Sequence, residues 1–131
     1  MGSTTNFFLK SAFALSAKKV PGQAVSDPLH RTVSAAHIHE NRAAAVKQCK
    51  RAWGDNYTNG GTKECDEYPF ASTYDGAAEN YYDLEAIKFN FSAKPIAKGD
   101  NQAGGLILKS FYGKERIIDG LNDGFIVRII V

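Results

Sequence analysis

Between Glu64 and Glu85 the chain carries seven carboxylates, Glu64, Asp66, Glu67, Asp75, Glu79, Asp83 and Glu85, without a single lysine or arginine among them. Acids crowded in this way repel one another and raise one another's pKa values. A fold must therefore spread them over different faces or bring a cation among them. Two readings stand side by side, a solvated acidic loop and a divalent-metal site. Positive charge lies elsewhere: residues 1–50 hold Lys10, Lys18, Lys19, Arg31, Arg42, Lys47 and Lys50 against Asp27 and Glu40, and the whole chain sums to +2. That total is far from the basic balance that would by itself mark a nucleic-acid binder, and it conceals two opposed patches.

At 131 residues the chain suits one hydrophobic core and is short for two. No apolar run approaches the ~20 residues of a membrane helix, so no membrane partner is expected. Lys10 interrupts the apolar stretch Phe7 to Leu15, which therefore does not read as a signal peptide. Met1-Gly2-Ser3 reads as an added start, with a natural segment expected upstream. Residues 1–29 read as an arm or additional short elements, and residues 30–131 as the domain proper.

Residues 34–53 are rich in helix formers, with Ile38, Ala45, Cys49 and Ala52 on one face, Ser34 placed to cap the start and Gly54 to end it. Asn59-Gly60-Gly61 supplies turn chemistry. Residues 65–70 read as a short extended segment, and Ile87, Phe89 and Phe91 alternate with polar residues as in a strand with one apolar face. After Pro95, Asp100 or Asn101 is expected to cap a helix over residues 103–112 that stops at Gly113. Gly104 and Gly105 would each cost such a helix about 1 kcal/mol relative to Ala, which points to close approach of another backbone or a ligand. Strands are expected at residues 116–118 and 125–131. Cys49 and Cys65 either pair or remain separate, Cys49 then being a buried thiol.

The order strand, loop, strand, Asn-started helix, with a carboxylate pair on the first strand, suits metal-assisted phosphodiester hydrolysis. An oxygen ligand at the helix start holds one divalent ion, and a base on the facing strand activates water. Asp, Glu and Asn oxygens select Mg²⁺ or Mn²⁺ over zinc.

The run Cys65-Asp66-Glu67-Tyr68-Pro69-Phe70-Ala71-Ser72-Thr73, continued by Tyr74-Asp75-Gly76-Ala77-Ala78, closely resembles the signature of the NucA/NucB family of secreted bacterial deoxyribonucleases. Asn41-Arg42, Asp100-Asn101, Ala103-Gly104-Gly105, Phe111-Tyr112 and Arg116 to Gly120 match further, so the resemblance spans roughly residues 30–131. It implies an α+β domain with a ββα-metal (His-Me finger-like) nuclease core, an antiparallel sheet plus helices. It also implies a sequence-nonspecific endonuclease acting on DNA, with RNA as a further candidate substrate and Mg²⁺ or Mn²⁺ as cofactor. Asp66 takes the general-base role that related nucleases give to a histidine, Glu67 is the adjacent catalytic acid, and Asn101 starts the metal-binding helix. Glu115 is the nearest acid for a second metal ligand. The pattern is closer to actinobacterial members, which favours a Cys49–Cys65 disulfide and a secreted, extracellular protein, expected as a monomer.

Each residue also has a plainer role. Asp66 and Glu67 point to opposite faces of a strand, so without a bulge only one is expected to face a given site. Asn101 is a favoured cap residue in any case. Ser72 and Thr73 suit a turn, and His30, His37 and His39 suit surface or packing positions. Lys109, Lys114, Arg116 and Arg128 are candidate phosphate contacts, because a site rich in carboxylates needs basic neighbours to hold a polyanion. The competing functions are a nuclease toxin domain of a larger antibacterial protein, with an immunity or inhibitor protein as partner; a noncatalytic DNA- or metal-binding module; and a disulfide-stapled surface protein.

Overall fold

The structure is a computed structural model and describes residues 2–5, 20–86 and 90–129. Eight elements follow one another: β1 (Gly2–Thr5), β2 (Leu29–His30), α1 (Ala35–Trp53), β3 (Lys63–Tyr68), α2 (Glu79–Tyr82), β4 (Ser92–Ala97), α3 (Lys98–Lys114) and β5 (Gly124–Ile129). They form a single α+β domain with two small sheets. β3 and β4 make an antiparallel pair. In the other sheet β5 lies between β1, which runs parallel to it, and β2, which runs antiparallel. No described helix is long and apolar enough to cross a membrane.

Local chemistry sets the bounds of α1. The Ser34 hydroxyl accepts from the His37 amide at 3.2 Å, and Gly54 closes the helix at φ 85°, a left-handed value that an L side chain resists. Its buried residues, His37, Asn41, Ala45 and Cys49, recur every fourth position and form a single stripe against the β3–β4 hairpin. Asn41, fully buried, binds the loop after β3: its Nδ2 donates to the Ala71 and Thr73 carbonyls at 2.7 and 2.9 Å, and its Oδ1 accepts from the Ala78 amide at 2.8 Å. A Cβ on Gly76 would fall 2.6 Å from the Asn41 side chain, so that loop requires glycine there.

Cys49 of α1 and Cys65 of β3 form a disulfide with Cα atoms 6.2 Å apart and a sequence separation of 16. Closing a loop of this size contributes about 3 kcal/mol in the chain-entropy model. The Cys49→Ser/Cys65→Ser protein is expected to lose about that much in a denaturant titration; an unchanged midpoint would show that the staple carries no stability. Around the disulfide, Ala45 and Ala93 form one buried cluster. The larger core gathers Leu29, Tyr68, Tyr112, Ile117, Phe125 and Val127 between α3, β5 and the end of β3.

The structure relocates several expected elements. The alternation over residues 87–92 does not define the second hairpin strand, which runs from Ser92 to Ala97 through Pro95; residues 87–89 lie outside the described ones. Proline is admissible here because β4, among the described residues, belongs to a two-stranded sheet and has an edge without a partner strand. The following helix starts at Lys98 behind Ala97, which makes no side-chain cap. Asn101 therefore sits in the first turn and not at the cap. No strand forms at residues 116–118: Arg116 takes a left-handed φ of 52°, and Ile117 is buried as a single plug in the core.

Candidate active site

The unbroken β3–β4 register pairs Cys65 with Pro95, Asp66 with Lys94, Glu67 with Ala93 and Tyr68 with Ser92. Alternation along β3 sends Cys65 and Glu67 toward α1, where they meet Cys49 and Arg42, and sends Glu64 and Asp66 toward α3. Both α1 and α3 pack on the hairpin, and among the described residues the β3 edge away from β4 has no strand partner. Along that open edge runs a groove of about 280 Å³, floored by Asp66 and Glu67, with Ile38 and Arg42 of α1 on one side and Asn101, Gly104, Gly105 and Leu108 of α3 on the other. Both carboxylates face it without a bulge. The expectation that only one could do so is corrected, because a groove over a strand edge is reached from both faces.

Asp66 is 8% exposed. Its Oδ1 accepts from the Glu67 amide at 2.9 Å, whereas its Oδ2 is buried without a hydrogen-bond partner. Burial pushes its pKa up to about 6, opposed by that amide and by the Arg42 charge. Glu67 Oε1 receives Arg42 Nη1 at 2.9 Å, and its Oε2 is also buried and unpartnered. Burial raises this carboxyl to about 7; the Arg42 charge and hydrogen bond oppose the rise, and neighbouring Asp66 adds to it. Arg42 Nη1 also donates to the Cys65 carbonyl at 3.1 Å, and the side chain remains 41% exposed at the groove wall.

From α3, Asn101 Nδ2 donates to Glu64 Oε1 at 2.8 Å. The amide orientation is thereby set, with Oδ1 as the oxygen free to act as a ligand. Nothing lies within 4 Å of a Cβ built on Gly105, so close approach of another backbone does not account for that glycine. It leaves the groove wall low instead.

The structure therefore brings Asp66, Glu67 and Asn101 together and leaves other candidates apart. Glu115, offered as a second metal ligand, is the C-cap of α3. Fourteen residues at 1.5 Å rise place it about 21 Å along the axis from Asn101, out of reach of the same ion. Arg116 lies beyond that end and is not in the groove. Lys114 is in the last turn of α3. Lys109 is exposed one turn past Gly105 and flanks the groove, and the side chain of Arg128 lies outside the described ones. Ser72 lines the groove but shares a 2.8 Å hydrogen bond with the Tyr112 hydroxyl, and Thr73 Oγ1 donates to the Phe70 carbonyl. His37 is buried against Tyr82, with ring centroids 4.0 Å apart, and burial lowers its pKa; His30 pairs with Asp75. Arg42 and Glu64 are the site residues that sequence reasoning passed over. Arg42 stands one helical turn after Ile38 on the α1 flank, a spacing readable in advance; the Glu64–Asn101 contact spans 37 residues and had no local signal.

The seven acids fall into two groups, and repulsion persists within each: Asp66 raises the Glu67 pKa, and Asp75 and Asp83 add to the burial that raises Glu79 to about 7. Glu64, Asp66 and Glu67 lie on β3, and Asp75, Glu79, Asp83 and Glu85 in the segment beyond it. Among the described residues no group of three or more His, Cys, Asp or Glu side chains is placed to hold a metal by itself. The groove's donors are oxygens, and two of them are buried without partners. That set suits an octahedral hard cation that keeps waters and takes one or two protein oxygens beside substrate phosphate.

A ββα unit formed by β3, β4 and α3, with an open groove holding a raised carboxylate, a second acid and an arginine, defines a class of protein equipped for acid–base chemistry on an anionic substrate. Residues 19–127 match the family model Deoxyribonuclease NucA/NucB, and the chain belongs to that family of nucleases, whose substrate is DNA. No curated protein and no solved structure matches the chain significantly.

Proposed function

We propose that this deoxyribonuclease is a metal-dependent, sequence-nonspecific endonuclease in which Asp66 is the general base. The supporting observation is the convergence of Asp66, Glu67, Arg42 and Asn101 from three elements on one groove, with Asp66 Oδ2 buried and unpartnered there. An ordinary aspartate, with a pKa near 3.9, is a weak base at neutral pH. At about 6, Asp66 is a stronger one and is still mostly ionised above pH 7.

Each residue has a distinct task. The Glu67 amide fixes Asp66 through Oδ1, and Oδ2 takes a proton from water as the water oxygen attacks phosphorus. The bond to one ester oxygen breaks, and that oxygen leaves with a proton from solvent. Glu67 holds Arg42 at the wall, where the remaining guanidinium edge meets a phosphate oxygen; Lys109 adds positive charge from the opposite, α3 side. Asn101, oriented by Glu64, presents Oδ1 as the ligand for Mg²⁺ or Mn²⁺. When bound, the ion supplies charge stabilisation at the phosphoryl and leaving oxygens. The disulfide accords with an oxidising compartment, and secretion is the corresponding location.

The test is plasmid cleavage with added Mg²⁺ or Mn²⁺, with and without EDTA. Nicking and linearisation that stop in chelator are expected. Undiminished cutting in EDTA would remove the metal from the reading, and DNA binding without cleavage under every ion supplied would make the chain a binding module.

A further inference from the structure

A second cavity, of about 250 Å³, lies on the opposite flank of α1 from the carboxylate groove. Its α1 wall is Ala44, Lys47, Gln48 and Arg51, and facing them are Tyr81 of α2 and Phe91. No carboxylate lines it, in contrast to the first groove. Phe91 packs against the buried cluster around Cys49 and gives a fixed floor, while Tyr81 is 63% exposed. The segment carrying Tyr81 is held in shape: Asn80 Nδ2 donates to the Ala86 carbonyl at 2.9 Å, and the Asp83 amide donates to the Glu79 carbonyl at 2.9 Å.

An exposed ring beside an anchored one, with cations along the rim, is the physical make-up of a stacking platform for unpaired bases. The outer face of α1 connects the two cavities. At 100° per residue Lys50 projects between Arg42 on the groove side and Lys47 on the far side, so basic side chains step around the helix. A strand leaving the groove at Arg42 rounds a helix roughly 10–12 Å across, and at 3.4 Å or more per nucleotide the path takes roughly four to six nucleotides.

We infer that the cavity between α1 and α2 is a binding subsite for single-stranded nucleic acid, with a base stacked on Tyr81 and its flanking phosphates on Lys47 and the α1 rim. The inference extends the nuclease reading and makes the substrate's unpaired strand, several nucleotides from the cleavage point, the occupant.

The experiment measures binding, so that it does not depend on cleavage. Fluorescently labelled oligothymidylates of about two nucleotides, too short for the path, and of about twelve are titrated by anisotropy against the full chain carrying Asp66→Asn, in Mg²⁺. Adding Tyr81→Ala is expected to weaken the longer strand by roughly 5- to 100-fold and leave the shorter one unchanged. Tyr81→Trp is expected to restore tight binding, and Lys47→Ala to reduce the salt slope of the longer strand by about 0.7. Melting temperatures unchanged by these exposed substitutions confirm intact folding. Equal weakening of both lengths, no weakening of either, or the same loss on a duplex of matched length would overturn the subsite. Tyr81-dependent binding in a protein whose parent cuts no DNA would refute the nuclease reading alone.

Discussion

The Asp66→Asn protein is expected to lose DNA cleavage by about 10²- to 10⁴-fold, the usual contribution of a positioned general base, and at the same time to melt at a higher temperature at pH 7.5. Both effects have the same cause. Burial lifts the native pKa of Asp66 from 3.8 to about 6, so the folded state holds this proton more tightly than the unfolded chain does. Stability from such a group is complete below the unfolded pKa and is lost as pH rises through the folded one. Above pH 7 the buried, ionised carboxylate therefore lowers stability by about 2–3 kcal/mol. Asparagine keeps the shape and can still accept the Glu67 amide, without the charge. In chelator, which excludes any contribution from cation binding, the variant should exceed the parent by several degrees at pH 7.5, and the gap should shrink as pH falls toward 4. Retained cleavage would remove Asp66 from the base role. A variant no more stable than the parent at neutral pH would show that burial of this carboxylate carries no cost.

Asn41→Ala is expected to be among the most damaging single changes in the chain, although Asn41 does not line the groove. The substitution strands two backbone groups at a fully buried position, the Ala71 carbonyl and the Ala78 amide, and leaves the Thr73 carbonyl with only a 3.4 Å bond from the Gly76 amide. A buried polar group left without a partner costs about 1–3 kcal/mol, and the two stranded groups together should remove about 2–5 kcal/mol. That is a large share of the ~5–15 kcal/mol that holds a typical domain folded. The loop it anchors carries Ala71 and Ser72 to the groove, so cleavage should also fall at temperatures where the variant remains folded. Urea titration beside an activity assay separates the two effects. A shift below 1 kcal/mol would mean that water replaces the amide, and that the loop does not depend on it.

Local signals served well wherever one residue's backbone chemistry decided the outcome. Ser34 and Gly54 bounded α1 correctly, because a hydroxyl acceptor and a left-handed glycine act within one turn. They failed where tertiary context overrode propensity. Alternation placed the second strand over residues 87–92, yet β4 runs from Ser92 to Ala97 with Pro95 inside it, because a strand in a two-stranded sheet has an edge that needs no donor there. Ile117 and Ile118 read as a strand, yet Ile117 alone is buried and Ile118 is 63% exposed. Asn101 reads as a helix cap, yet its amide is committed to Glu64.

By itself the sequence determined the α+β class, the long first helix, the ββα order and the acids, since these rest on periodicity, capping chemistry and a contiguous motif. Which acids lie together was decided only by the tertiary structure. Neighbours on a strand point to opposite faces, and Asp66 and Glu67 share one groove because β3 has an edge between two helices that no described strand pairs with. Asn101 reaches the same groove because Glu64, 37 positions earlier in the chain, orients it. Glu115 is excluded because α3 carries it about 21 Å away. The crowding of like charge that marked residues 64–85 was divided in the same way, with three acids on one strand and four in the segment beyond it, while within each group the acids still raise one another's pKa values.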